Sequence, residues 1–450
     1  MRKFILIWLG QLISLIGSGL TAFALGVWIY QETGQASPFA ITVLFGQLPR
    51  ILLSPWAGSL ADRWDRKRLM LLADSGDALV TLCAFLLLFL GNLQIWHIYL
   101  IAASSSAFAA FQEPAYTASV TMLVPKKDLA RASGLIQMGS SLELLVAPLL
   151  AGLLFGVIGL RGIILIDFVT YFFALAALIA VRIPQPPKAA QDHQEQGGKV
   201  WADSVFSWKY LKERPGLFSL LWYFALVNFL LNFASVLRAP LVLSFTHTGV
   251  LGLLDTVTGA GMLLGGILLS VWGGPKQDRI RAVIGFIALA GLGLAFAGLR
   301  ASPVFIGAGM FLMLFSIPLA SGPSQAIFQT KVEPGVQGRV FAMRTMISRS
   351  MMPLAFISAG ILADTFFEPM MRPGGGLAAG ILSDIFGVGP GRGIGLMFTL
   401  SGIILMVVSA LCYAYPRVRR VESELPDAIS VEVEGENSRP EVPPAVVEPA

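Results

Sequence analysis

The sequence predicts an all-α membrane protein whose twelve transmembrane helices form two six-helix pseudo-repeats. Three observations support this fold class: the apolar composition, the number of apolar stretches long enough to cross a bilayer, and motifs that recur in both halves. Of the 450 residues, 55% are hydrophobic and only 13% are charged, whereas soluble domains carry about 25% charged residues. The net charge of +5 is dispersed over short loops, so it gives no basis for nucleic-acid binding.

Twelve apolar stretches approach the roughly 20 residues that a helix needs to cross the hydrocarbon core. The first one follows Arg2 and Lys3 and mimics a secretory signal, but it continues to Tyr30. We therefore expect an uncleaved first span. The predicted spans are residues 4–30, 38–60, 69–91, 95–122, 132–156, 161–182, 217–246, 250–273, 282–300, 303–330, 341–364 and 394–415.

These spans divide the chain into two bundles and three polar segments. We expect an N-terminal six-helix bundle over residues 1–182, a cytoplasmic central loop over 183–215 and a C-terminal six-helix bundle over 216–415. A long outer loop, 365–393, is rich in Gly and Pro, and its short apolar part is either an interfacial or re-entrant helix or a plain flexible loop. The tail, 416–450, is acidic and rich in proline, so we expect it to be disordered.

The distribution of Lys and Arg predicts the orientation of the chain. Four arginines, Arg161, Arg300, Arg372 and Arg392, fall on one side, and the basic residues of nearly every other loop fall on the opposite side. By the positive-inside rule, the basic side is cytoplasmic and holds both termini. We therefore expect a multi-pass protein of the bacterial inner membrane.

The segment between the second and third spans concentrates charge. Residues 62–68 include six charged side chains, each of which costs about 2.5–3.5 kcal/mol at the centre of a membrane helix. The segment must therefore lie at a water-facing surface. We call residues 58–68 the hinge, and we expect Gly58 to let neighbouring backbones approach closely.

The hinge and its surroundings recur in the second half of the chain. Pro114 and Pro125 have counterparts 209 positions later in Pro323 and Pro334. Parallel repeats of this kind are typical of a class of secondary transporters. The residues Trp56, Gly58, Asp62 and Arg63 recur with the same spacing as Trp272, Gly274, Asp278 and Arg279.

The hinge resembles motif A of the major facilitator superfamily. Asp65 departs from that motif, because most members carry Gly there. With Asp65, the hinge sequence is similar to that of the branch of macrolide-efflux and siderophore-exporter proteins. The sequence Ala147-Pro148-x-x-Ala151-Gly152 resembles the antiporter motif of exporters in the same superfamily, with Ala147 and Ala151 in place of glycines. The hinge matches motif A at Gly58, Leu60, Ala61, Asp62, Arg63, Arg66 and Lys67.

The resemblance implies two bundles that rock around a central cavity, without cofactor or metal, in a monomer. It implies that the hinge holds one conformation by contact with the cytoplasmic end of span eleven, where Arg344 is the expected partner. The gating residues would be Gly58, Asp62, Arg63, Arg66, Lys67 and Arg344.

Ionisable residues inside spans are expensive and are therefore candidates for function. A carboxylate in a low-dielectric cavity can exchange a proton near neutral pH, as a proton-coupled transporter requires. The alternative is a fixed pair that holds the bundle together, such as Arg50 with Glu113 or Glu143. The proton-coupling candidates are Glu143, Glu113, Asp77 and Asp167, and the candidate cavity charges are Arg50, Arg238 and Arg349.

Two further carboxylates are ambiguous from the sequence alone. Asp74 lies near the hinge and can reach surface water, and Asp255 lies either at the rim or in the cavity.

The sequence thus predicts a proton-coupled exporter of amphiphilic small molecules of the drug, macrolide or siderophore type. A lysophospholipid flippase, which would not need protons, and a solute importer stay open. A membrane-embedded enzyme or sensor is disfavoured, because we find no nucleophile–base constellation, no metal-ligand cluster and no soluble catalytic or output domain. The sequence does not name the cargo.

Overall fold

The computed structural model describes residues 1–125, 128–183 and 205–424. In these ranges the chain is helical and contains no strand, which confirms the predicted all-α class. Most of the central loop and residues 425–450 of the tail lie outside the described residues. The helices are α1 (Arg2–Thr33), α2 (Ala36–Arg63), α3 (Arg66–Phe89), α4 (Ile95–Leu123), α5 and α6 (together Leu129–Ala180), α7 (Pro215–Leu243), α8 (Thr248–Trp272), α9 (Arg279–Gly298), α10 (Pro303–Lys331), α11 (Pro334–Leu362) and α12 (Arg392–Ala414).

Gly159 separates α5 from α6. Its backbone angles, φ 62° and ψ −174°, interrupt the stretch between residues 129–158 and 160–180. Within the described ranges, ten helices are long and apolar enough to cross a membrane, with α5 and α6 counted as one. Helix α4, at 29 residues, is an additional long helix. The helices correspond in order to the twelve predicted spans.

The two bundles meet mainly along two helix pairs, α2 with α11 and α5 with α8. At the end opposite the hinge, which we call the distal end, these pairs are in backbone contact. A Cβ atom on Gly152 would lie 2.7 Å from the carbonyl oxygen of Thr248, and one on Gly360 would lie 2.8 Å from the Cα of Ser37. Small residues therefore allow the bundles to close at this end.

The same four helices leave open space at the hinge end. Among the described residues, and apart from each helix's own backbone, no atom lies within 4 Å of a Cβ placed on Gly58 of α2, Gly134 of α5 or Gly338 of α11. No described residue approaches Gly58 closely in this conformation, and the expected close backbone approach there stays a prediction. The structure is closed at the distal end and open at the hinge end.

The first residues of the tail are ordered, contrary to the prediction. Pro416–Arg419 and Val421–Glu424 form short helices, and Val418 and Val421 are fully buried. The Glu422 carboxylate accepts a hydrogen bond from the backbone N–H of Ile280 at the start of α9 (3.0 Å). The two apolar side chains and this cap explain why 416–424 packs against the C-terminal bundle.

The outer loop also contains short helices. After α11 the chain continues through a π-helical turn (Ala363–Phe367) and a short helix (Glu368–Met371), and a six-residue helix, Ile381–Phe386, follows. Met371, Phe386 and Leu396 form a small buried cluster. The loop is thus anchored to α12, and its position relative to the membrane interface stays a prediction.

Candidate functional site

The hinge places its basic side chains on neighbouring helices of the same bundle. Arg66 donates from Nη1 to the carbonyl oxygen of Ala118 on α4 (2.8 Å), and Lys67 donates from Nζ to that of Val181 after α6 (2.7 Å). Asp65 accepts at Oδ1 from the N–H of Arg68 (3.0 Å). This is an N-cap for α3, so the residue that departs from motif A has a structural use.

Arg344 does not contact the hinge through any described side chain. It donates to Ser324 Oγ (3.0 Å) and Gln325 Oε1 (3.2 Å) on α10, and its guanidinium lies over the ring of Phe328. The side chains of Asp62 and Arg63 lie outside the described residues, so the expected pairing of Arg344 with Asp62 stays a prediction. In this conformation Arg344 instead ties α11 to α10.

A cavity of about 520 Å³ lies between the two bundles. Helices α1 to α6 contribute most of its wall, and α7, α8 and α11 complete it. The apolar part of the wall includes Phe23, Phe39 and Phe356, and the charged part includes Arg50, Asp77, Glu143, Asp167, Arg238 and Asp255. We call this space the central cavity.

Arg50 forms an ion pair with Glu113, with Nη2 and Oε2 2.5 Å apart. The two side chains are 46% and 58% exposed, respectively, and Glu113 is not among the residues that line the central cavity. This is one of the two fixed pairs that the sequence left open. Because exposed pairs contribute at most about 1 kcal/mol, it orients Arg50 more than it stabilises the fold.

Glu143 lies on α5 and lines the central cavity. It contacts α1 closely, because a Cβ on Gly19 would lie 3.4 Å from Glu143 Oε1. Among the described residues it forms no ion pair. Arg50 on α2 is the cationic group near it.

Arg238 on α7 pairs with Asp255 on α8, with Nε and Oδ1 2.8 Å apart. Both atoms are buried, and the pair is a close charge contact without the alignment of a hydrogen bond. Asp255 therefore lines the cavity and does not lie at the rim. Arg349, by contrast, is exposed and is not among the cavity-lining residues.

Asp77 of α3 and Asp167 of α6 line both the central cavity and a smaller cavity of about 30 Å³ inside the N-terminal bundle. Asp167 is only 5% exposed and accepts from Ser18 Oγ (3.2 Å). Asp74 also lines the small cavity and accepts from Gln11 Nε2 (2.9 Å). The structure thus groups two predicted carboxylates with one that the sequence left ambiguous.

The sequence analysis missed the hydroxyl groups that surround these carboxylates. They belong to Ser14, Ser18 and Thr21 of α1 and to Thr81 of α3. The sequence could have revealed the groups on α1 through their spacing, because intervals of three and four residues place side chains on one helix face. With Gln11, the polar residues of α1 form such a stripe through an otherwise apolar helix.

Comparisons with known proteins agree with this architecture. The sequence profile of the Major Facilitator Superfamily matches residues 7–356. Macrolide efflux protein A of Streptococcus pyogenes is 29% identical over 431 residues, covering 93% of this chain and 97% of that protein. The enterobactin exporter EntS of Salmonella typhimurium is 24% identical over 349 residues, covering 75% of this chain and 80% of that protein.

A solved structure with this fold is that of a bacterial homologue of the human lysosomal transporter Spinster, in an inward-facing and unoccupied conformation. It matches with a TM-score of 0.67 at 17% identity, covering 94% of this chain and 98% of that one. The chain therefore belongs to the major facilitator superfamily, and it is a membrane transporter and not an enzyme.

Proposed function

We propose that this protein is a proton-coupled exporter of cationic amphiphilic small molecules that works by alternating access in a bacterial inner membrane, with both termini in the cytoplasm. The observation that carries the proposal is the central cavity, which combines aromatic walls with unpaired carboxylates. Its volume of about 520 Å³ falls within the roughly 300–1,000 Å³ of sites for drug-sized ligands.

The charges of the cavity favour a cationic cargo. Arg238 is neutralised by Asp255, and Arg50 is engaged by Glu113. The acids of the wall that form no ion pair within the described residues are Asp77, Glu143 and Asp167. A buried negative surplus attracts an ammonium group when the site binds cargo, and it takes up protons when the site is empty.

The aromatic residues of the cavity favour a cargo that also has an apolar part. Phe23 and Phe39 come from the N-terminal bundle and Phe356 from α11 of the other bundle. An apolar molecule between them would contact both bundles, so its binding would depend on how the bundles are arranged. A ligand shifts a conformational equilibrium only by its differential affinity for the two states, and contacts to both bundles provide that difference.

The names of the relatives favour export over import. Macrolide efflux protein A and the enterobactin exporter are both named for outward transport. A basic macrolide fits the negative surplus better than a catecholate siderophore, which is acidic. We therefore expect basic macrolides and cationic dyes to be better cargo than the siderophore.

The test is the accumulation of cargo in a bacterium that lacks its major exporters and expresses this chain. The panel contains a basic macrolide, a cationic dye, a catecholate siderophore and a lysophospholipid, each with and without a protonophore. Reduced accumulation of the cations, reversed by the protonophore, is the expected result. Movement of lysophospholipid that the protonophore does not affect would favour the flippase and refute proton-coupled export.

A pair of matched variants tests whether the cargo occupies the central cavity. Gly46 lines the cavity and Gly285 is exposed on α9, and no atom of the described residues outside the helix's own backbone lies within 4 Å of a Cβ at either position. We expect Gly46→Phe to fill the cavity and reduce export, and Gly285→Phe to leave export unchanged. Equal export by both variants at equal membrane abundance would place the cargo elsewhere.

A further inference from the structure

A short amphipathic helix precedes α7 at the hinge end of the molecule. Residues 205–212 are helical and lead directly into α7, and we call them the collar helix. Tyr210 and Leu211 of this helix belong to the main hydrophobic core. The guanidinium of Arg214 lies 3.6 Å from the centre of the Tyr210 ring and pairs with Glu333 at the start of α11, with Nη2 and Oε1 3.5 Å apart. The collar helix is therefore a fixed part of the C-terminal bundle.

The opposite face of the collar helix is exposed and combines apolar with basic side chains. Spacings of three and four residues place four exposed side chains on this one side of the helix. They are Val205, Trp208, Lys209 and Lys212. Neither lysine forms an ion pair with a described residue. An apolar stripe that also carries lysines is typical of a helix that lies in a membrane interface.

Trp208 connects this face to the transmembrane surface of α7. Its ring makes T-shaped contacts with the rings of Phe218 (5.3 Å between centroids) and Trp222 (6.4 Å). Trp222 is 47% exposed and is not among the residues that line the central cavity, so on a membrane-spanning helix it faces lipid. It lies about 10 Å along α7 from Pro215. Because tryptophan concentrates at the membrane–water interface, these contacts place the collar helix at the level of the lipid headgroups.

The first part of the tail adds further cations beside α7. Pro416–Arg419 packs against the start of α7, where a Cβ on Gly216 would lie 2.7 Å from the carbonyl oxygen of Arg417. The exposed acids nearby are Glu213 and Glu424, so positive charge dominates. Clusters of about four to eight Lys and Arg directly beyond a transmembrane helix are typical of sites for anionic lipids. The exposed cations that flank the start of α7 are Lys209, Lys212, Arg417, Arg419 and Arg420.

Two occupants carry enough negative charge to cover this surface. Residues 425–450 contain six acidic residues and one arginine, and the headgroups of anionic phospholipids carry phosphates. The acidic segment accounts for the cations but not for the exposed rings of Trp208 and Trp222 beside them. A lipid accounts for both, because its phosphate attracts the cations while its glycerol and acyl region covers the rings.

We propose that the collar helix, the start of α7 and residues 416–420 form a binding surface for anionic phospholipids. Lys209 and Lys212 bind the phosphates, and Trp208 lies below them at the boundary of the acyl chains. The bound lipids hold the collar helix, through which the chain enters the C-terminal bundle, against α7. The inference depends on the membrane location of the protein and not on its cargo, so its test needs no transport.

Quenching of tryptophan fluorescence by brominated lipids tests the surface in the purified, lipid-reconstituted protein. Phosphatidylglycerol or phosphatidylcholine, brominated in the acyl chain, is added in equal fractions to otherwise unbrominated phosphatidylcholine bilayers. The difference between wild type and Trp208→Phe gives the signal of Trp208. We expect brominated phosphatidylglycerol to quench this signal more strongly than brominated phosphatidylcholine, and high salt to remove the excess, because salt screens exposed charges.

Two double variants, each measured with and without Trp208, show whether the cations cause the excess. Lys209→Gln with Lys212→Gln should raise the fraction of phosphatidylglycerol needed for half-maximal excess quenching about fivefold or more, since each cation near a membrane surface contributes about a factor of five. Arg2→Gln with Lys3→Gln is the matched control, because these exposed cations lie at the hinge end of the other bundle, and it should behave as wild type. Circular dichroism confirms that each variant is folded.

Four results would overturn the inference. Quenching of Trp208 by neither lipid would place the collar helix outside the membrane interface. Equal quenching by the two brominated lipids would show contact with lipid without selection for negative charge. An equal loss in both double variants would assign the excess to the general charge of the protein. An excess that appears only when the six acids of residues 425–450 are replaced by their amides would make that segment the occupant of the surface.

Discussion

The carboxylate of Asp364 joins the two bundles at the distal end. Asp364 lies in the π-helical turn that follows α11, and it accepts from the backbone N–H groups of Ala36 (Oδ1, 2.8 Å) and Ser37 (Oδ2, 2.7 Å). Those N–H groups belong to the first turn of α2 in the other bundle. The contact can exist only while the distal ends are together, so we predict that it stabilises the closed distal end.

The size of the effect follows from this geometry. A side-chain cap at a helix N-terminus contributes about 0.5–2 kcal/mol, and a negative charge there contributes about 0.3–1 kcal/mol. Asp364→Asn keeps one acceptor oxygen and loses the charge. We therefore expect it to favour distal opening by about 1–2 kcal/mol, which is a change of about 5- to 30-fold in the ratio of open to closed molecules.

Distances between spin labels measure this ratio. Gln31 of α1 and Val304 of α10 are exposed near the distal ends of different bundles, so labels there separate when the distal end opens. Cys83 and Cys412 are the native cysteines, and both are replaced by serine beforehand. The prediction is that Asp364→Asn increases the population at long distance in lipid nanodiscs.

Glu368 supplies a matched control. Its carboxylate also accepts two backbone N–H groups at a helix N-terminus, those of Gly391 (3.0 Å) and Ile394 (2.9 Å), but both belong to its own bundle. Glu368→Gln should lower thermal stability without changing the distance distribution. An unchanged distribution in Asp364→Asn, or an equal shift in both variants, would refute the reasoning.

Three further substitutions have defined outcomes. Glu143→Gln should abolish proton-driven dye export without loss of folded protein in the membrane; export equal to wild type would remove Glu143 from the mechanism. Arg238→Leu should lower stability by about 3–5 kcal/mol, because it leaves Asp255 buried without its partner; thermal unfolding checks this, and recovery in Arg238→Leu with Asp255→Leu would attribute the loss to the unpaired charge. Gly252→Val should prevent distal closure and slow export, because its side chain would collide with the carbonyl oxygen of Pro148; label distances that match wild type would contradict this.

Much of the fold could be predicted because it depends on local patterns. Apolar length places each span, and the ends of the long helices lie within about three residues of the predicted bounds, except that α11 begins at Pro334 and not at residue 341. The motif repeat also predicted the two halves, but the repeated residues adopt different backbones. Helix α2 continues to Arg63, whereas α8 ends at Trp272, because Gly273 and Gly274 take left-handed conformations (φ 77° and 74°). Sequence spacing could not reveal this difference.

The candidate site was less predictable, because charge pairing is a tertiary property. The sequence offered Arg50 either Glu113 or Glu143, and the structure joins it to Glu113 and leaves Glu143 in the cavity. We propose that this pairing matters for function, since a paired arginine favours the charged form of a carboxylate, whereas a carboxylate without an ion pair exchanges a proton more readily.

The structure also changes the interpretation of Asp74. Its distance from the hinge along the chain suggested a surface role, but Asp74 accepts a hydrogen bond from Gln11 and lines the smaller cavity of the N-terminal bundle. Depth along a helix gives the height of a residue in the membrane and says nothing about the face on which it lies. The polar stripe of α1 supplies that second coordinate, because Gln11, Ser14 and Ser18 follow one face. Combining the stripe with the acids of α3 and α6 would have grouped Asp74, Asp77 and Asp167 around the smaller cavity.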